Sequence, residues 1–342
     1  MNLQQRDERF MRSALLEAQK GLGHTSPNPA VGAVLVVGSK IVARGHHARA
    51  GGVHAEIACL RAFGRAIPLA ATLYVTLEPC SSAGRTASCA HALIGGGVKN
   101  AVVGAIDPNP RHSGRGIALM RAAGISVRTG VFENECTALN ETFNKWITTG
   151  QPFVVAKCGM SLDGRLTRRS GEDPWITGPA ARRHARMLRA QVDAVLVGAS
   201  TIRADNPRLT ARGVRGARQP WRIVLTRGGR LPQKARIFND RFAARTRVIG
   251  KGTLRKVLAE LGRNEITSVL IEGGGDVLSQ ALDARLIDKV QIYLGPLLTG
   301  GPVLAFGGRG AGGTSEAAFL RGVNYERIGQ DVCVSGYPNY PA

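Results

Sequence analysis

Four residues in the first third of the chain have the types and spacing for metal-assisted hydrolysis. His54-Ala55-Glu56 opens a predicted helix, Pro79-Cys80 follows a predicted strand, and Cys89 comes after eight intervening residues. A catalytic zinc ion takes three protein ligands and keeps one position open for water. One imidazole and two thiolates make such a set. Glu56 is not a ligand in this scheme. It stands beside the bound water and passes its proton to a leaving amine. Zinc lowers the pKa of its water to about 7, so hydroxide is available near neutrality. Helix N-termini aimed at the site favour thiolate and hydroxide. The competing reading is a capping histidine with two core cysteines. The order HAE, strand, EPC and a further helix favours a zinc deaminase. Cys59, Cys136, Cys158 and Cys333 have no ligand partners at usable spacing and read as small core residues.

The second half carries different signals. IEGGG (271–275) runs from a strand into a helix, where adjacent glycines and a helix N-terminus suit an anion. It is not G-x-G-x-x-G, so an ordinary Rossmann site is not supported. SLDGRLTRRSGEDPWITG (161–178), with Asp163, Ser170, Glu172 and Trp175, reads as a polar loop. TIRADNPRLTAR (201–212) shows neither helical nor strand periodicity and reads the same way.

The elements that must position these residues alternate. In the first half, helices are expected at 6–21, 54–64, 87–97, 116–124 and about 133–148, and strands at 31–37, 41–45, 72–76, 101–105 and 125–130. A boundary falls near Gly150-Gln151-Pro152. Beyond it, strands are expected at 153–160, 194–199, 222–226, 247–250, 268–275, 289–296 and 332–336, with helices at 179–191, 253–262 and 276–285. Both halves are therefore α/β. The expected domains are 1–149 and 150–342.

Composition bounds the partners. The chain has 342 residues, 44% hydrophobic, with 46 Lys+Arg against 24 Asp+Glu, a formal net charge of +22. The apolar fraction excludes a disordered or collagen-like chain. No apolar run reaches the roughly 20 residues of a membrane span, and the N-terminus does not read as a signal peptide, so a cytoplasmic protein with no membrane partner is expected. The basic excess is scattered, with no tail and no interleaved aromatics. Nucleic acid is therefore not expected as a partner. Oligomeric state is left open, a homo-oligomer included.

Segments along nearly the whole length resemble the bifunctional deaminase–reductase family of riboflavin biosynthesis. They are TSPNPAVGAVLV (25–36), RAGGVHAE (49–56), YVTLEPCSSAGRTASCAHALI (74–94), DPNPRHSGRG (107–116), SLDGR (161–165), SGEDPWIT (170–177), LRAQVDAVLVGASTIRADNPRLTAR (188–212), RIVL (222–225), IEGGG (271–275) and GQDVCV (329–334), in the family's order. The resemblance implies a cytidine-deaminase-like α/β/α sandwich followed by a dihydrofolate-reductase-like α/β domain. It implies zinc-dependent deamination of 2,5-diamino-6-(5-phosphoribosylamino)pyrimidin-4(3H)-one, then NADPH-dependent reduction of the ribosyl chain of the product to ribityl. His54, Cys80 and Cys89 would bind zinc, with Glu56 catalytic. Gly159, Trp175, Thr201, Asp205 and the loop Gly274, Gly275, Asp276, Val277 and Leu278 would contact NADPH. Asn28, His47, Asp173, Arg189, Leu209, Arg212 and Glu272 would contact the phosphoribosyl pyrimidine.

The chain departs from the family pattern at several places. Ser82 stands where a histidine is usual, Ala87-Ser88 replace two prolines, and His46 replaces a tryptophan. Asp173 replaces a serine, Asn206 an aspartate, and Thr226-Arg227 an Asp-Ser pair. These motivate one alternative, a paralogue with one active domain or another pyrimidine or pteridine substrate. The net charge motivates a second, a nucleic-acid-editing deaminase.

Overall fold

The computed structural model describes residues 2–82, 88–166, 175–214, 216–228 and 230–341. The chain forms two compact units, Met1–Gly150 and Gln151–Ala342.

The first unit runs α1 (Leu3–Gln19), β1 (Gly32–Val37), β2 (Lys40–His46), α2 (Ala55–Phe63), β3 (Thr72–Leu77), α3 (Cys89–Gly95), β4 (Asn100–Ala105), α4 (Arg115–Ala122), β5 (Ser126–Thr129), α5 (Glu133–Leu139) and α6 (Glu141–Thr149). The strands form a sheet of order β2-β1-β3-β4-β5. β1 is antiparallel to β2 and β3, and β3, β4 and β5 are parallel. Strand residues alternate between faces. Leu35, Leu73, Val75 and Val103 pack with Cys59, Leu93 and Met120 of the helices on one side. Val34, Val36, Tyr74 and Val102 pack with Phe10, Met11 and Ala14 of α1 on the other. Both faces are covered, which is why β3 and β4 read as unbroken apolar runs.

The expected helix over 133–148 is two helices. The break is at Asn140, whose backbone leaves the helical region (φ −111°, ψ 24°). Its buried side-chain amide accepts from the Ala30 N–H at 2.8 Å and donates to the Ala30 carbonyl at 3.0 Å. These two bonds satisfy a strandless stretch of backbone, and hydrophobic periodicity does not reveal them.

The second unit runs β6 (Phe153–Ser161), α7 (Pro179–Gln191), β7 (Ala194–Gly198), α8 (Ala199–Asp205), β8 (Trp221–Leu225), α9 (Arg236–Asn239), β9 (Thr246–Ile249), α10 (Leu254–Arg263), β10 (Ser268–Glu272), α11 (Gly275–Asp283), β11 (Lys289–Gly295), β12 (Phe319–Ile328) and β13 (Asp331–Asn339). Its sheet has the order β12-β13-β11-β6-β10-β7-β8-β9. From β11 to β9 the strands are parallel; β13 and β12 add an antiparallel edge. Leu254, Val257, Leu258 and Leu261 of α10 and Val277, Leu278 and Ala281 of α11 fill one face. Val195, Val197, Val224 and Leu270 turn to the other, with Ile202 of α8.

Two elements differ from expectation. The stretch beginning at Thr201 is helical through Asp205, too short to display a period, and ends at Asn206 with φ +41°. β12 is exposed along nearly its whole length, so no apolar alternation marks it. Among the described residues, no helix is long and apolar enough to cross a membrane.

Candidate metal centre and cofactor cavity

His54 is the N-cap of α2, Cys80 lies just past the end of β3, and Cys89 is the first residue of α3. The His54 Nδ1 atom is 3.2 Å from the Cys89 Sγ and 3.7 Å from the Cys80 Sγ. All three ligand atoms lie within 4.8 Å of one another. Atoms that share a tetrahedral zinc at about 2.1–2.3 Å have this separation. The Cys89 backbone N–H donates to the Cys80 Sγ at 3.3 Å. A hydrogen bond from the Cys89 thiol holds the Cys80 thiol well below its usual range, and the same contact, with burial, pushes the Cys89 thiol up. The donor chemistry fits a soft divalent cation.

Glu56 sits in the first turn of α2, 3% exposed, beside this set. Burial pushes its carboxyl up to about 7, despite a backbone hydrogen bond and His54, which pull it down. A carboxyl poised there can both take and give a proton near neutrality. α2 reaches this position because β2 carries Gly45 beneath it. A Cβ at Gly45 would meet the Cys59 amide nitrogen at 2.3 Å and the Ala55 carbonyl at 2.5 Å.

His47 and Asn28 converge on the same place. The Asn28 Nδ2 is 3.2 Å from the His47 Nε2, and the His47 Nδ1 is 2.9 Å from the Val53 carbonyl. Nδ1–H therefore donates to Val53, and Nε2 accepts from Asn28. Burial lowers the His47 pKa, which favours this neutral form. Its ring meets His54 edge-on, centroids 5.3 Å apart.

Glu78, absent from the sequence-derived site, turns out to be a hub. It is buried, two residues before Cys80. Its Oε2 accepts from the amides of Asp107 (3.2 Å) and Gly114 (2.8 Å), and its Oε1 from Gly116 (2.8 Å) and Ile117 (3.2 Å). Its sequence signals were its place at the end of the apolar run TLYVTL and at the head of EPC, neither of which shows what it binds. Ser88, where a proline was expected, caps α3 by accepting from the His91 N–H at 3.3 Å. It therefore fixes the start of the helix that carries Cys89. Ser82 is exposed, and the His112 ring lies 3.2 Å from the neighbouring Ser81 hydroxyl.

In the second unit a cavity of about 610 Å³ opens at the C-terminal ends of β7, β8 and β9. Gly198, Ser200, Thr226, Ile249, Asp276 and Val277 are among its walls. Parallel α/β sheets bind ligands at this end. A Cβ at Gly274 (φ +74°) would approach the Thr201 Oγ1 at 3.1 Å, and one at Gly198 would approach Val277 at 3.1 Å. Both glycines thus keep the strand ends open to a close neighbour, as a phosphate cradle requires. Asp276 and Val277 line the cavity, and Thr201 flanks it; Gly159, Trp175, Asp205, Gly274, Gly275 and Leu278 are not among its walls, and the Leu278 side chain is fully buried in the core. Trp175 is 59% exposed, with the Arg182 guanidinium 4.5 Å above its ring.

Arg189 and Glu272 meet directly. Arg189 Nε donates to Glu272 Oε1 at 2.5 Å and Nη2 to Oε2 at 2.8 Å, while Nη1 reaches the Thr210 carbonyl at 3.3 Å. Burial raises the Glu272 pKa, but the guanidinium outweighs it and holds the carboxyl below its ordinary value. Leu209 lies in the same loop with φ +52°, and Arg212 follows, with Arg189, Arg186, Arg208 and Arg236 as its charged neighbours. Asp173, Ser170 and Glu172 lie outside the described residues.

Fold and site together define a bifunctional enzyme, a zinc-binding deaminase unit followed by a reductase unit on a largely parallel sheet. Residues 4–105 match the cytidine and deoxycytidylate deaminase zinc-binding region, and residues 152–334 match the RibD C-terminal domain. The chain is 37% identical to the riboflavin biosynthesis protein RibD of Aquifex aeolicus, covering 96% of this chain and 97% of the relative. It is 39% identical to that of Escherichia coli, over 86% and 89%. The Acinetobacter baumannii RibD structure superposes with a TM-score of 0.90 at 34% identity, over 98% and 99% of the two chains. The diaminohydroxyphosphoribosylaminopyrimidine deaminase/5-amino-6-(5-phosphoribosylamino)uracil reductase of Thermotoga maritima gives 0.89 at 35% identity, over 99% and 100%. The chain belongs to the RibD family, the bifunctional deaminase–reductases of riboflavin biosynthesis. Its cofactors are zinc and NADPH.

Proposed function

We propose that Met1–Gly150 carries the deaminase chemistry and Gln151–Ala342 the reductase chemistry. The observation that carries the first assignment is the His54, Cys80 and Cys89 donor set within 4.8 Å, with buried Glu56 beside it. These three residues would hold zinc, which supplies Lewis acidity and an activated water at the amino-bearing carbon of the pyrimidine. Glu56 would hold the proton exchanged between the attacking water and the departing amine, so that one water is consumed and one ammonia released. Asn28 and His47, locked to one another, orient the substrate beside His54.

In the second unit, NADPH lies along the β7–β9 cavity, with the loop Gly274, Gly275, Asp276, Val277 and Leu278 and Thr201 on one side. Gly159, Trp175 and Asp205 serve the coenzyme from outside the cavity walls. Arg212 and Leu209 hold the phosphoribosyl group. Arg189 and Glu272 act there as one bidentate unit, because the guanidinium fork is already engaged. We place the enzyme in the cytoplasm, where thiols stay reduced, in keeping with its six free cysteines. We assign it a small-molecule substrate and no nucleic acid.

The test is turnover of the diaminopyrimidine with NADPH, following ammonia and NADPH together. Both traces are expected, with ammonia release first. A protein that releases no ammonia while holding one zinc per chain would sink the deaminase assignment. A gel shift with single-stranded RNA at moderate salt would revive the nucleic-acid alternative.

A further inference from the structure

The segment from Ser81 to Ser88 joins the two cysteines of the metal centre, and a histidine meets the serine at each of its ends. At the Cys80 end the Ser81 Oγ lies 3.2 Å from the His112 Nδ1. At the Cys89 end the Ser88 Oγ lies 2.6 Å from the His91 Nδ1 and accepts from the His91 N–H at 3.3 Å. Neither imidazole has a part in the proton transfers of deamination.

The two contacts are built differently. His112 belongs to the loop between β4 and α4, and that loop is anchored on both sides of it. The Asp107 and Gly114 amides donate to the Glu78 Oε2 at 3.2 and 2.8 Å. His112 itself sits in consecutive turns: its N–H donates to the Asn109 carbonyl at 2.8 Å, and its carbonyl accepts from the Arg115 N–H at 2.8 Å. One loop therefore grips Glu78, just before the Pro79-Cys80 pair, and Ser81, just after it. At the other end Ser88 is 2% exposed, with φ −61° and ψ 144°. That φ is the one a proline ring imposes. A serine hydroxyl has one proton to give and lone pairs to accept with. Ser88 gives its proton to the His91 ring and accepts from the His91 amide, so a single residue in the first turn of α3 engages it twice. Hydrogen bonds hold there the backbone angle that a ring would hold covalently, at a position where proline is usual.

We propose that His112 and His91 are positioning residues of the metal centre. Each seats the serine beside one cysteine ligand, so that both thiols are already in place when zinc binds. This rests on the assignment of zinc to His54, Cys80 and Cys89. Ligands ordered in advance lose less freedom on binding, and the contacts behind them set how firmly the metal is held.

The test is zinc release from fully loaded protein to an excess of a chromogenic pyridylazo chelator. H112A and H91A should each release zinc roughly 3- to 10-fold faster than wild type, the loss of about one net hydrogen bond. The double variant should show the product of the two effects, roughly 10- to 100-fold. H112N and H91N, whose amides reach the place of Nδ1, should keep slow release. In an S88A background H91A should have no further effect, and S88P should restore slow release without His91. Unchanged release from the double alanine variant would overturn this inference alone. A lower melting temperature with unchanged release would make both histidines structural residues and overturn it equally. Release from the asparagine variants as fast as from the alanine variants would do the same. A wild-type protein that takes up no zinc would overturn the ligand assignment, and the inference with it.

Discussion

The Gly116 amide donates to the Glu78 carboxylate at 2.8 Å, while a Cβ on Gly116 would stand 1.9 Å from the Pro79 carbonyl. One close approach thus joins α4 to the residue that precedes Cys80. Three further backbone amides share the same carboxylate.

Replacing Glu78 by Ala leaves four backbone N–H groups, three of them buried, to find other partners. The cost is about 3–5 kcal/mol of stability in the first unit, since each unsatisfied donor costs about 1–3 kcal/mol and water recovers part of it. Differential scanning calorimetry should show the melting of the first unit shift downward. Ammonia release should fall with zinc content, while NADPH consumption on the deaminated substrate persists.

Removal of a ligand separates the two activities. His54→Ala or Cys89→Ser is expected to bring bound zinc, measured by plasma mass spectrometry, from one per chain to near zero. Ammonia release is lost and reduction of the deaminated substrate continues. Chelation of the wild-type protein should reproduce this pattern.

Glu56→Gln keeps the shape of the side chain and removes its proton chemistry. The expected loss in deaminase kcat is about 10²- to 10⁴-fold, with zinc content unchanged. Loss of zinc in this variant would instead make Glu56 a structural residue of the site.

The Arg189–Glu272 pair gives a pH signature. Glu272 is held below its ordinary pKa in the folded protein, so its ionised form stabilises the fold. That contribution is full above the unfolded-state value of about 4.3 and is lost as pH falls through the lower folded value. Glu272→Gln should cost about 3–5 kcal/mol near pH 7, because it leaves the Arg189 charge buried and unpaired. The gap between wild type and variant, read by chemical denaturation, should narrow as pH falls below about 4.

Much of this was legible in the sequence, for identifiable reasons. His54, Glu56, Cys80 and Cys89 show because catalytic zinc demands few residue types in a fixed order. The apolar runs 73–77 and 101–105 show because both faces of their sheet are covered. Glu78, Asn140 and Ser88 were missed because their work is done through single hydrogen bonds to backbone, which leave no periodic trace. α8 was missed because seven residues are too few to repeat a helical pattern. Arg189 and Glu272 were named only through the resemblance, and their bond to each other depends on α7 lying beside the end of β10.

The Asn140 amide has a consequence for where the deaminase ends. The zinc-binding family match stops at residue 105, yet Ala30 is held from 110 residues further along the chain. Ala30 follows the Asn28 that braces His47. An excised catalytic fragment that ends after β4 or β5 would keep every metal ligand and still lose the clasp on that loop. The smallest autonomous deaminase therefore has to extend past Asn140, and α5 and α6 belong to its working parts.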